Sequence, residues 1–291
     1  MILIAATRCI HSNTDDNAVG GSPAHHPASG TPTQTMVSPR LYKSSQAYDF
    51  CLKSMGFEGG IDRFLRDLEI EIPAGSRILD AGCGTGLLGL HFLNRIPGST
   101  LLSTDLQPNF LRATLAKAAK RHLASERLEV ATADISTPQK INLMTDVATK
   151  QYLHSGELVS VNHGDSIAEE YGNEFAPTTT LEDGIFGLIC VGAVVGYAQD
   201  TETSLKQLAA LLAPRGVLLN LEMSQSLTGR LVSHRYDYHN LTHAKICKVL
   251  EDSDCQVSTQ NLRMRHLPAK LTRTAIIAQR NAAADESHPC V

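Results

Sequence analysis

The chain has no apolar run approaching the ~20 residues needed to cross a bilayer, so no membrane span is expected. Met1 to Ala6 is apolar but shorter than the h-region of a secretory leader, and polar residues follow at once. It reads as part of a tail. No two of the seven cysteines (Cys9, Cys51, Cys83, Cys190, Cys247, Cys255 and Cys290) have Cys-x-x-Cys spacing. Neither a zinc site nor a disulfide framework is indicated, and no metal is expected. A reducing, cytoplasmic setting is the simplest reading. A long basic run is also missing. The net charge is -4, and the densest basic cluster, Lys117, Lys120 and Arg121, has the spacing of a solvated helix face. A grip on nucleic acid, which usually needs a basic face, is not expected. No internal repeat is visible.

What the chain does have is core material. Apolar residues make up 42% of 291 positions, enough for one α/β domain with appendages. Residues 1–38 are rich in Ser, Thr, Pro, Gly, Asn and His and are expected to form a disordered or loosely attached tail. The folded part is expected over 39–280, with a C-terminal tail over 281–291. Tyr48, Cys51, Leu52 and Met55, then Ile61, Phe64, Leu65 and Leu68, recur at helical spacing. Two helices broken at Gly59-Gly60 are predicted, forming an N-terminal cap.

Beyond that cap, strands alternate with helices. Short apolar runs at 77–81, 100–105, 128–133, 186–195 and 217–222 predict five strands, and 257–262 and 274–278 two more. Helices are predicted over 86–94, 108–122, 202–212 and 241–253. This alternation implies a parallel sheet with right-handed crossovers. Residues 136–184 form a polar stretch without sustained period, an insert that reads either as a lid or as mobile filler.

One segment carries chemistry. Ile78-Leu79-Asp80-Ala81-Gly82-Cys83-Gly84-Thr85-Gly86 ends a buried strand and opens a helix. Glycines there let the backbone turn sharply and lie close to a ligand. The helix that follows offers unpaired N–H groups and a positive dipole end. A dinucleotide fingerprint, Gly-x-Gly-x-x-Gly, would need a glycine at 87, where this chain has Leu87. Asp105 closes the next strand, where a carboxylate can accept both hydroxyls of a ribose. Asp134, with Ile135, ends the third strand and is placed to hold an adenine ring and its amino group.

These residues together resemble the class I, Rossmann-like methyltransferases. "ILDAGCGTG" is similar to their first motif, "STDLQPNFL" to their acidic loop and "TADIS" to their adenine-contacting turn. "FGLICVGAVVGYAQD" is similar to their fourth strand and its loop, and "LLAPRGVLLNLE" to the turn before the fifth. The resemblance is good over 75–135 and 184–222 and absent over 1–38 and 136–183. It implies an α/β fold with a doubly wound, mostly parallel seven-stranded sheet, helices on both faces and the last strand antiparallel. It also implies S-adenosyl-L-methionine as cofactor. The expected cofactor residues are Asp80, Gly82, Cys83, Gly84, Gly86, Asp105, Leu106, Asp134, Ile135, Val191 and Tyr48. Two positions depart from the pattern: Gly187, where the family often has Asp, and Arg215, in place of the first glycine of a Pro-Gly-Gly turn.

The acceptor is less legible. Enzymes that methylate base or glutamine amino groups often carry Asn/Asp-Pro-Pro-Tyr/Phe after the fourth strand. This chain has Val191-Gly192-Ala193-Val194-Val195-Gly196-Tyr197 there, which points to a small-molecule acceptor, methylated on O, N or C. Tyr197 is a candidate pocket residue. His234 and His239, in the stretch after the fifth strand, are candidate general bases, because imidazole titrates near neutral pH. His239 and His243, four apart, are expected on one helix. An RNA or protein acceptor, or a member that binds the cofactor without transferring a methyl group, is the alternative.

Overall fold

The computed structural model describes residues 56–123, 125–155 and 174–282. The tail over 1–38, Tyr48, the first of the two predicted helices, the middle of the insert and residues 283–291 lie outside the described residues.

Among the described residues nine strands form one sheet. They are β1 (Arg77–Ala81), β2 (Thr100–Asp105), β3 (Leu128–Thr132), β4 (Lys140–Leu143), β5 (Thr179–Thr180), β6 (Phe186–Val191), β7 (Leu212–Met223), β8 (Cys255–Asn261) and β9 (Arg273–Arg280). Their spatial order is β5-β4-β3-β2-β1-β6-β7-β9-β8. The neighbours β3, β2, β1, β6 and β7 run parallel, while β9 is antiparallel to both β7 and β8. Removing β4 and β5 leaves the predicted seven. The two extra strands come from the insert and pair antiparallel on the β3 edge. The insert therefore has structure that periodicity missed, because β4 is four residues long and β5 only two.

Seven helices flank the sheet among the described residues: α1 (Phe57–Asp67), α2 (Leu87–Arg95), α3 (Pro108–Lys120), α4 (Asp146–Ser155), α5 (Thr201–Leu211), α6 (Leu227–Arg235) and α7 (His243–Glu251). Successive strand residues point to opposite faces. Ile78, Leu101, Leu219 and Leu221 join Phe64, Phe92 and Leu111 in the core beneath α1, α2 and α3. Leu79, Leu102, Ile189 and Leu218 join Leu205, Leu208 and Leu250 in the core beneath α5 and α7. Burial on both faces explains why these strands read as continuous apolar runs rather than alternating ones. Strand order reverses between β1 and β6, which places a crevice at their carboxyl ends.

Three expectations are corrected. The helix is not broken at Gly59-Gly60; α1 runs through both and starts after Gly56, whose φ of 68° is left-handed. Gly60 is there for contact, since a Cβ would lie 2.7 Å from the His266 carbonyl oxygen. His239 and His243 do not share a helix: α7 begins at His243, capped by the Thr242 hydroxyl, which accepts from Lys245 N–H. The Pro214-Arg215-Gly216 turn lies inside β7, where the register with β6 breaks between Phe186 and Leu188. Arg215 takes the left-handed conformation there, at φ 62°. The other departure has a packing reason: a Cβ at Gly187 would sit 2.7 Å from the Ser76 hydroxyl oxygen.

Candidate cofactor and acceptor site

The glycine turn caps β1 at the point of strand reversal. Gly82, Gly84 and Gly86 all have left-handed φ, at 67°, 53° and 75°. A Cβ on Gly82 would lie 2.6 Å from a methyl group of Val194, so the loop after β6 lies directly on the turn. A Cβ on Gly86 would lie 2.7 Å from the Thr114 methyl group of α3. The backbone is pinned from β2: Cys83 N–H donates to the Thr104 carbonyl at 2.8 Å. Cys83 is buried, its sulfur 3.7 Å from the Thr114 hydroxyl. Lys117 donates to the Thr85 hydroxyl at 2.8 Å and lies 3.7 Å from Glu58 of α1. Sequence reasoning read Lys117 as a solvated cation; it braces the turn.

Asp80 is placed beneath the turn rather than in front of it. It is 1% exposed, and Oδ2 accepts a hydrogen bond from Gly89 N–H at 2.9 Å, in the first turn of α2. Burial pushes its carboxyl up to about 7, with a smaller push from Asp105 and an opposing pull from the Gly89 hydrogen bond. Asp105 stands at the end of β2. Its Oδ2 accepts from Gly84 N–H at 2.9 Å and Oδ1 from Gln107 N–H at 3.0 Å. Burial raises it to about 6, against the hydrogen bonds that lower it. Leu106 follows and is 62% exposed. A large aliphatic side chain held in solvent next to a rigidly oriented carboxylate fits a ligand that joins a sugar to a flat ring.

Asp134 and Ile135 are half-buried after β3. Asp134 Oδ1 accepts from Ser136 N–H at 2.8 Å, and the Ile135 carbonyl accepts from the Ser204 hydroxyl at 2.6 Å. Ser136 in turn accepts from Gln199 N–H at 3.0 Å, tying this loop to the loop after β6. Val191 is fully buried in the second core, in register with Ala81 and Asn220.

The structure brings together Tyr197 and the segment around His239, two of the candidates for binding the acceptor. Gly196 accepts a hydrogen bond from His239 N–H at 3.1 Å. Tyr197 meets Tyr238 edge-on, ring centroids 5.1 Å apart. The side chains of His239 and His234 are exposed, His234 on the outer face of α6. The residues that sequence reasoning missed are Asn220, Glu222 and Tyr238. Tyr238 Oη donates to Glu222 Oε1 at 2.5 Å, and Asn220 Nδ2 donates to Glu222 Oε2 at 3.2 Å. All three are buried. Burial, and next the nearby Glu222 carboxylate, push the Tyr238 phenol well above its usual range, so it stays a donor. Two polar residues two apart at the end of an apolar strand were the available signal. Among the described residues no group of three or more His, Cys, Asp or Glu side chains is placed to hold a metal.

A family model described as "Methyltransferase domain" matches residues 79–218. No curated protein matches the sequence. Several solved structures share the fold. An O-methyltransferase family protein from Burkholderia thailandensis aligns with a TM-score of 0.55 and 15% identity, over 82% of this chain and 60% of that one. The complex of the Haloferax volcanii Trm112 methyltransferase activator with a putative methyltransferase gives 0.53 and 10%, over 83% and 96%. Magnesium protoporphyrin IX methyltransferase from Synechocystis, with bound SAH, gives 0.50 and 13%, over 81% and 87%. At these identities the likeness is one of fold. The family match runs from β1 through the glycine turn into β7, so residues 79–218 form a methyltransferase domain, with the fold shared by S-adenosylmethionine-dependent methyltransferases.

Proposed function

We propose that this methyltransferase acts on an oxygen, nitrogen or carbon of a small-molecule metabolite, in the cytoplasm. The observation that supports this most is the loop after β6. It is short and apolar and lies on the glycine turn through Val194, where a Cβ on Gly82 would meet it at 2.6 Å. It lacks the Asn/Asp-Pro-Pro-Tyr/Phe pattern of base-methylating enzymes. No described helix is long and apolar enough to cross a membrane.

The turn of Gly82, Cys83, Gly84 and Gly86, with Asp105, Leu106, Asp134 and Ile135, would hold the cofactor; Asp80 acts from beneath by fixing α2 to β1, and Val191 by filling the core under the loop. S-adenosylmethionine, when bound, supplies an activated methyl group on a sulfonium. What remains for the chain is orientation, worth on the order of 7–11 kcal/mol in favourable cases, and proton removal where the acceptor needs it. Tyr197 lines the acceptor side. His239 is the candidate base closest to it along the chain of contacts, through the hydrogen bond to Gly196; His234 is the second. The test is transfer of tritium from methyl-labelled S-adenosylmethionine into a deproteinised metabolite extract. Counts recovered in small-molecule product support the reading. Counts appearing only when RNA or protein is added would replace it, and none in any fraction would leave a binding protein.

A further inference from the structure

Glu222 occupies the carboxyl end of β7 and is 1% exposed. Three donors converge on it. Oε1 accepts from Tyr238 Oη at 2.5 Å and from Met223 N–H at 2.8 Å, and Oε2 accepts from Asn220 Nδ2 at 3.2 Å. A buried carboxylate is costly to desolvate, and an apolar residue of similar volume usually serves folding as well or better. On the same strand face Leu218 belongs to the apolar core beneath α5 and α7. Folding alone therefore does not account for an acid here.

Its geometry gives it another task. The hydrogen bond grips the far end of Tyr238, whose ring lies against the loop after β6 at Gly196. A Cβ on Gly196 would be 2.5 Å from Tyr238 Cζ and equally close to the His239 carbonyl oxygen. Tyr197 packs edge-on against the same ring, and His239 N–H reaches Gly196 O at 3.1 Å. The loop after β6 and the loop between α6 and α7 are thus fastened to one another through a tyrosine, and the tyrosine to the sheet through Glu222. β7 is paired with β9 at Glu222 itself, opposite Thr274, and with β6 up to Asn220, so the anchor stands on the sheet.

We propose that Glu222 is a positioning residue for the acceptor side, acting through Tyr238 to hold Tyr197 and His239 in place; this rests on the acceptor reading given above. Asn220 adds a way to test it. It is fully buried, and its Oδ1 has no hydrogen-bond partner among the described residues. In E222Q the side-chain carbonyl still accepts from Tyr238, and an Asn220 amide turned over presents its idle Oδ1 to the new amide N–H. In E222L the tyrosine hydroxyl is left buried without an acceptor.

The experiment compares wild type, E222Q, E222L and Y238F in the full chain. Each is measured for S-adenosylmethionine binding by calorimetry, for amide exchange over 194–199 and 236–240, and for the amount of deproteinised metabolite extract giving half-maximal tritium transfer. E222L and Y238F are expected to bind cofactor within about twofold of wild type, to exchange faster in both loops, and to need at least about tenfold more extract. E222Q is expected to stay within about threefold throughout. Unchanged exchange in E222L and Y238F overturns the anchor and leaves the acceptor reading standing. Faster exchange with an unchanged extract requirement overturns the placement of the acceptor against these loops. Should E222L not fold, Y238F carries the same comparison, because it removes only the hydroxyl.

Discussion

The carboxylate of Asp80, at the end of the first strand, accepts the backbone N–H of Gly89, in the first turn of the helix that follows the glycine turn, at 2.9 Å. The bond closes the turn from below. It fixes the helix whose positive end faces the crevice, and it does so with an acid that the fold has taken out of water.

That burial has a measurable consequence. Asp80 is raised to about 7 and Asp105 to about 6, against an ordinary 3.8. The folded protein therefore keeps protons that the unfolded chain has already released above pH 4. Stability from this source is full below pH 3.8 and is lost as pH rises through 6 to 7. For Asp80 alone the displacement amounts to on the order of 4 kcal/mol. The cofactor-free protein is predicted to melt at lower temperature at pH 8 than at pH 5. D80N, which keeps an oxygen for Gly89, should flatten that slope. Asp67 and Asp200, held low by hydrogen bonds from His266 and Thr203, act in the opposite sense and below this window. Thermal melts of both proteins from pH 5 to 8 decide it; equal slopes would remove Asp80 as the cause.

Gly89 should be as sensitive as the motif glycines, although it lies outside the motif. A Cβ there would be 2.7 Å from Asp80 Oδ2, 2.8 Å from Asp80 Cβ and 3.0 Å from Leu101 Cδ1. These are buried, well-packed partners, so relief has to come from shifting α2 away from the sheet. G89A is predicted to lose about 1–3 kcal/mol of stability in denaturant unfolding, and to weaken S-adenosylmethionine binding because the turn rides on that helix. A variant with wild-type unfolding would show that the helix yields freely.

Asp105 should carry cofactor affinity and its pH dependence. Hydrogen bonds to an ionised carboxylate are worth roughly 1.5–3 kcal/mol, so D105A is predicted to raise the dissociation constant for S-adenosylmethionine about 10–100-fold. Donors on a bound sugar favour the ionised form and would lower its pKa on binding. With a starting value of about 6, affinity should be about tenfold weaker at pH 5 than at pH 7. Calorimetry at the two pH values measures this. A pH-independent constant would mean that Asp105 serves only the Gly84 and Gln107 amides it already holds.

Much of this site was legible because it is local. Strand, glycines, helix and the acids at two later strand ends all lie at short separations, and each residue type answers a backbone or charge requirement of its own. The missing parts are long-range. Whether Asp80 faces the ligand or the helix depends on Gly89 packing against it. The role of Lys117 depends on Thr85, thirty-two positions earlier. The pairing of Glu222 with Tyr238 joins the end of a strand to a loop that no periodicity marks. The edge strands of the insert were unreadable for a different reason: two to four residues are too few to show alternation.

Gly196 offers a way to separate donor from acceptor. It sits where the loop after β6 meets Tyr238 and His239, and a Cβ would lie 2.5 Å from both Tyr238 Cζ and the His239 carbonyl oxygen. Neither can yield easily, since Tyr238 is fixed by Glu222 and His239 by its own bond to Gly196. The glycine turn, by contrast, meets this loop two residues earlier, at Val194. G196A is therefore predicted to push the two loops apart, at about 1–3 kcal/mol of stability, while leaving S-adenosylmethionine affinity within about threefold. Methyl transfer into a metabolite extract should fall at least tenfold, because the face that orients the acceptor is displaced while the donor stays in place. Binding calorimetry beside tritium transfer on the same preparation separates the two effects. A parallel fall in both would mean that the loop serves the cofactor, and the acceptor would then have to be sought elsewhere on the carboxyl edge of the sheet.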